Sequence, residues 1–323
     1  MSLVSDINAR FSPSRGQSDN QRLYLGVAFK LTAILLFVAM GTMAKMATET
    51  IPLGQVLFAR NALALIPVFA VIALQGKMWE AVRTKRPGAH LVRALVGFVG
   101  MSFGFAALTF LPLSDATAIS YVVPLLIVVL SAVMLHENVR IYRWSAVGVG
   151  FIGVLIMLYP QLAGGQDRSM LGVGLALVSA LGAALAQVQV RQMTATETTS
   201  SIVLYFTIFC AVFALATLPF GWVMPQGREW LLLIGIGVIG GIGQLLLTQS
   251  YRFAQASLIA PLDYTSMIWA SVFGYIIFGD LPDGFVVTGT LVVIAAGIFV
   301  IFREHRLGID RTRTRKAGYR IVN

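Results

Sequence analysis

Ten long apolar runs, parted by short polar or charged breaks, occupy nearly the whole chain between residues 23 and 302. The clearest pair is Ala116–Leu135 and Trp144–Leu158, with the charged stretch His136–Arg143 between them. A helix rises about 1.5 Å per residue, so about twenty apolar residues cross about 30 Å of hydrocarbon. With no water there, each crossing segment must satisfy its own backbone, which selects helices. Only 12% of the 323 residues are charged and 57% are hydrophobic, against about 25% charged in a soluble domain. The expected fold class is an all-α polytopic membrane protein.

The runs read as ten transmembrane helices with limits near 23–44, 53–74, 89–111, 114–135, 141–159, 170–190, 200–220, 229–250, 256–278 and 284–302. The third and fourth must be separate, since one helix over 91–135 would be about 65 Å long. Pro112 marks the division. Basic residues then orient the chain. With the N-terminus inside, eighteen of the 24 Lys and Arg fall in inner segments and three, Lys45, Arg168 and Arg228, in outer ones. Lys30, Arg60 and Arg93 lie within spans. Both termini are therefore expected on the cytoplasmic side of the membrane. Residues 1–22 lack a signal peptide's apolar core and read as a loose tail. Seven basic residues in 303–323 suit anionic lipid at the membrane surface better than nucleic acid.

The halves repeat. Leu25–Gly26–Val27 is echoed by Leu171–Gly172–Val173, 146 positions on, Glu137 by Asp280, 143 on, and Gly153 by Gly297, 144 on. Five spans per repeat is an odd number, so the second repeat crosses in the opposite sense. The expected architecture is thus two inverted-topology five-helix repeats, 23–159 and 170–302, joined by a linker at 160–169. Such repeats are typical of alternating-access transporters.

Ionisable groups at membrane depth are costly and face the bundle interior. Arg60 either grips a cargo or pairs internally, with Asp263 as the natural partner. Asp263 either binds a cargo amine, takes up a driving proton, or stays locked to Arg60. It follows Pro261, which frees a backbone carbonyl inside the span. Lys30 either lines a cavity or snorkels to the inner surface, and Arg93 likewise snorkels or meets phosphate. Ser114 is read as a helix cap, with Asp115 at the positive helix end. Thr117, Tyr121 and Pro124 share one face of the fourth helix, and Asp263, Met267, Ala270 and Gly274 one face of the ninth. Tyr121, Tyr264, Trp269 and Phe103 are candidates for stacking on a flat ring. Gln187, Gln189, Gln244 and Gln249 either bridge helices or point into a cavity. Pro124, Pro261, Glu137 and Asp280 are assigned structural roles. The pairs Gly100/Gly104 and Gly237/Gly241 permit close helix contact. The fifth and tenth spans are expected at the periphery or against another subunit, which leaves room for a homodimer. Cys210 is alone and the three histidines are scattered, so neither a disulfide nor a metal motif is expected. No nucleotide-binding loop or nucleophile set appears, so neither enzymatic activity nor a cofactor is expected.

The segments FARNALALIP (58–67), HLVRALVGFVGMSFGFAAL (90–108), LHENVRIYRWSAVGVGFIGVLIML (135–158) and the stretch 257–300 resemble the drug/metabolite transporter superfamily, in its ten-helix, two-repeat (EamA-type) branch. Within it, the first half resembles bacterial S-adenosylmethionine uptake transporters, through Arg60, His90 with Arg93, Glu137–Asn138 and Arg143–Trp144. Riboflavin importers, amino-acid exporters and aromatic-compound exporters are related groups. The resemblance implies a secondary transporter, and the charged, polar and aromatic groups read above place Arg60, Asp263, Tyr264 and Tyr121 on its lining, followed by Lys30 and Gln187. The cationic excess among the spans disfavours a cationic cargo, so riboflavin is placed ahead of S-adenosylmethionine. Amino-acid or drug efflux, and a non-transporting scaffold or receptor, are the alternatives.

Overall fold

The computed structural model describes residues 19–76, 78–134, 141–162, 170–254, 259–279, 283–296, 298–299 and 303. Its main helices are α1 (Asp19–Ala47), α2 (Leu53–Gln75), α3 (Pro87–Phe110), α4 (Leu113–Ser120), α5 (Val122–Met134), α6 (Ile141–Leu162), α7 (Met170–Met193), α8 (Thr199–Leu215), α9 (Arg228–Phe253), α10 (Ser266–Phe273) and α11 (Gly284–Ala296). Among the described residues, six segments are long and apolar enough to cross a membrane, and four shorter apolar helices accompany them: Trp144–Met157, Thr199–Leu215, Ser266–Phe278 and Gly284–Ala296. Large apolar side chains such as Leu231, Ile276 and Phe299 face outward, as expected of a surface that meets lipid tails.

The short segments have local causes. α8 stops at Leu215, just before the Leu218–Phe220 turn that holds Pro219. The expected fourth span is interrupted at Tyr121. Pro124 has no N–H for the carbonyl four residues back. The expected ninth span is segmented more strongly. A 3-10 stretch, Ala260–Thr265, leads into α10, which passes into a π turn, Gly274–Phe278. Pro112 occupies the cap position of α4, so the expected cap at Ser114 is displaced. Asp115 lies buried in the first turn of that helix.

Elements from the two ends of the chain interleave. α1 packs along α9, α3 along α7, and α2 against both α8 and α9. The α3–α7 contact is backbone on backbone. A Cβ placed on Gly182 would stand 2.8 Å from Gly100 Cα. Gly237 and Gly241 of α9 likewise seat Leu63 and Pro67 of α2. The fifth and tenth spans, expected at the rim or against another subunit, meet each other: Val293 of α11 and Val154 and Met157 of α6 share one apolar cluster, and Tyr159 meets Phe285 at 5.2 Å.

Candidate functional site

A cavity of about 370 Å3 lies between α1, α3, α4 and α7, completed by the Ala260–Thr265 turn and the start of α10. Its wall is mostly apolar. The polar side chains on it are Thr117, Ser120, Ser179, Gln187, Asp263 and Ser266. Asp263 is the one charged residue on the described lining.

Asp263 is aimed there by the 3-10 turn that carries it. Ser266 Oγ donates to the Asp263 carbonyl at 2.6 Å, and Thr265 Oγ1 to the Leu262 carbonyl at 2.8 Å. These hydroxyls satisfy carbonyls that a broken helix leaves open at membrane depth. Ser266 Oγ also reaches the Tyr121 hydroxyl at 3.4 Å. Tyr121, buried at the interruption between α4 and α5, thus ties the two segmented spans together.

Lys30 of α1 faces the same carboxylate. Its ammonium is 2.7 Å from Asp263 Oδ1 and 2.9 Å from Oδ2. It reaches Gln187 Oε1 at 3.4 Å and lies 5.5 Å from the Tyr251 ring centroid. The Tyr251 hydroxyl donates to the same Gln187 oxygen. Lys30 is 1% exposed and the Asp263 side chain 23% exposed, so the acid, not the amine, meets the cavity. Each ion of a buried pair carries a desolvation cost of several kcal/mol, which is offset only with good geometry and further polar partners. Gln187 and Tyr251 supply those partners. The arrangement provides a carboxylate at the cavity wall whose present cation belongs to the protein, so an incoming cation or a proton can compete for it.

Lys30, Asp263, Gln187 and Tyr121 are therefore brought together, and Lys30 does not snorkel. The Arg60–Asp263 pair expected from the sequence is not formed. α1 packs against the turn that bears Asp263, which hands the acid to Lys30. Arg60 instead points from α2 toward α8. It is 4% exposed, donates to Asn61 Oδ1 at 2.7 Å, and lies 5.5 Å from the Phe206 ring. Arg93 of α3 is 5% exposed and lies 4.1 Å from the same ring, so it does not snorkel either. Among the described residues, neither arginine has a carboxylate within ion-pair distance. Arg60 Nε, Arg93 Nε and Arg93 Nη1 are buried without a hydrogen-bond acceptor. A desolvated cation–π contact contributes about 2 kcal/mol, less than the several kcal/mol that burying each guanidinium costs.

Near residues 82–90, a separate polar network joins α3, α8 and the end of α9. Glu197 accepts from Thr84 Oγ1 and from the Lys85 N–H, both at 3.0 Å, and stands 3.7 Å from His90 Nε2. Arg252 donates to the Glu197 carbonyl and to Thr199 Oγ1. Tyr205 donates to the Val82 carbonyl at 2.6 Å.

Tyr251, Ser266, Phe206 and Glu197 were not singled out by sequence. Tyr251–Arg252 at a span end has the signature of an interfacial aromatic, which concealed its buried role. Trp269 is 36% exposed and is not part of the described cavity lining. Glu137 and Asp280 lie outside the described residues, as do the side chains of Pro261 and Tyr264. Among the described residues, no group of three or more His, Cys, Asp or Glu stands together as a metal site.

The sequence profile of the EamA-like transporter family matches residues 24–159 and again 170–303. The S-adenosylmethionine uptake transporter of Rickettsia prowazekii (strain Madrid E) is 27% identical over 90% of this chain and 97% of its own. A pseudopaline exporter of Pseudomonas aeruginosa is 29% identical over 84% and 94%. A riboflavin transporter of Vibrio cholerae is 28% identical over 85% and 92%. A solved crystal structure shares the fold with a TM-score of 0.69, covering 87% of this chain and 98% of its own, at 22% identity.

Proposed function

This chain belongs to the EamA-like transporter family, and from that premise we propose that it carries a small polar metabolite across the bacterial inner membrane by alternating access. The cavity beside Asp263 is the cargo site in one access state. The Glu197 network is the closure of the opposite, cytoplasmic end. Ten spans in two inverted repeats, with both termini inside, are the architecture this reading requires. Cysteine labelling tests it in a Cys210→Ser background. Asp167→Cys is expected to react with an impermeant thiol reagent in intact cells, and Gly318→Cys only after the membrane is opened. Equal reaction of both from outside would rule out the inverted repeat.

For the cargo, S-adenosylmethionine replaces riboflavin as the first choice. The observation that carries this is the single charge on the cavity lining. The span cations that disfavoured a cationic cargo are elsewhere: Lys30 is neutralised by Asp263, and Arg60 and Arg93 lie against Phe206. A wall with one carboxylate in an apolar setting suits a ligand with a cationic centre and a flat ring. The relatives named for S-adenosylmethionine uptake support the same choice. Binding at Asp263 releases Lys30 and drives the exchange of access. A proton at Asp263 does the same and is the means of coupling.

Proteoliposomes under an imposed proton gradient test the cargo. Labelled S-adenosylmethionine is expected to enter saturably, with excess unlabelled S-adenosylmethionine competing and riboflavin not competing. Riboflavin uptake without S-adenosylmethionine uptake would restore the opposite order. Transport of neither, with release of preloaded amino acids, would favour an exporter.

A further inference from the structure

We propose that Arg60 and Arg93 form a second internal site that takes a carboxylate, the acid group of an amino-acid-like cargo. The inference rests on the transport reading above and adds a ligand group that the Asp263 cavity does not explain.

Two guanidiniums sit on one aromatic ring, at 5.5 and 4.1 Å from its centroid. They come from different helices, α2 and α3, and α8 supplies the ring between them. A guanidinium presents its donors in a rigid planar fork and accepts no hydrogen bond itself. Three of their nitrogens, Arg60 Nε, Arg93 Nε and Arg93 Nη1, are buried without an acceptor. The neighbouring groups do not compensate. Asn61 Oδ1 takes one donor of Arg60, and the Cys210 thiol is engaged with the Ala94 carbonyl at 3.6 Å. Two like charges in one apolar cluster call for an anion, and the planar guanidinium fork matches a carboxylate.

The cluster adjoins the cavity. Gly240 of α9 separates them: a Cβ there would stand 2.6 Å from Met40 Sδ and 3.6 Å from Arg60 Nε. Met40 itself borders the cavity. A small shift of one methionine therefore joins a carboxylate-lined space to an arginine pair. A cargo with an amine or sulfonium at one end and an acid at the other has a complementary group for each.

The test uses the full-length protein in detergent, with S-adenosylmethionine, its decarboxylated form, and sodium acetate as a bare carboxylate. The parent is expected to bind the decarboxylated form at least tenfold more weakly than S-adenosylmethionine. Arg93→Met is expected to bind the two alike, and to melt no lower than the parent without ligand, because it removes an uncompensated buried charge. A tenfold preference surviving in Arg93→Met overturns the proposal. So does a marked fall in its ligand-free melting temperature, which would make the arginine a strut on Phe206. If the parent binds neither adenosyl compound, the cargo reading fails and acetate tests the site alone. Acetate should then raise the melting temperature of the parent but not of Arg93→Met, and an equal response in both overturns the site.

Discussion

Lys30→Met and Asp263→Leu, made together, are expected to give a protein that melts near the parent temperature and transports nothing. Each change alone leaves an unpaired charge in the bundle and should cost about 3–5 kcal/mol, whereas replacing both partners of a buried pair by apolar residues is often neutral or stabilising. Either single variant therefore melts lower, with Lys30→Met retaining an isolated carboxylate and Asp263→Leu an isolated ammonium. Stability returns in the double variant because Lys30 is enclosed by α9 and α7 groups, Tyr251 and Gln187, that also tolerate a methionine stem. Transport does not return, because the cavity has lost the one charge on its described wall. Melting in detergent and uptake into proteoliposomes read the two effects separately. Uptake by the double variant within tenfold of the parent, about 1.4 kcal/mol in barrier, would mean that the pair only holds the helices together.

Gly182→Leu is expected to abolish the folded protein. At the α3–α7 crossing a Cβ on Gly182 meets Gly100 Cα at 2.8 Å and Gly100 N at 3.2 Å. No flexible side chain is there to yield, so the helices must separate. Overpacking a core costs about 1–3 kcal/mol where neighbours adjust, and a leucine pressed on backbone exceeds that range. Gly182→Ala should already lower the melting temperature, and Gly182→Leu should leave no monodisperse protein on size exclusion. Separation would also move Ala183 and Gln187, which line the cavity just beyond the contact. Gly174 on the same helix is the control: a Cβ there meets nothing within 4 Å. Gly174→Leu should not lower stability, and the helix-propensity gain over glycine raises it by up to about 1 kcal/mol. Equal behaviour of the two leucine variants would remove the crossing as a determinant of the fold.

The helical, membrane-spanning character was legible because hydrophobic run length needs no tertiary information. Lys30, Asp263 and Gln187 were legible as interior groups because charge and amide polarity at membrane depth are conspicuous in any apolar run. Their pairing was not. Lys30 and Asp263 are 233 positions apart, and hydropathy does not reveal how far each helix is rotated about its axis. The same gap made Arg60 the favoured partner of Asp263. Tyr251 was hidden by its position beside Arg252, and Phe206 by being one phenylalanine among twenty. Breaks at Tyr121 and at Ala260–Thr265 were foreshadowed by Pro124 and Pro261. The hydroxyls that repair the second break, on Thr265 and Ser266, belong to residue types too common in membrane helices to stand out.

The separation of Lys30 from Asp263 bears on how the chain is made. Synthesis adds about 5–20 residues each second, so the lysine is incorporated about ten to fifty seconds before its counter-ion, 233 positions on. Throughout that interval the first helix carries an ammonium that the bilayer does not welcome. That helix therefore enters the bilayer with a cost of about 2.5–3.5 kcal/mol still open, which the later arrival of Asp263 offsets.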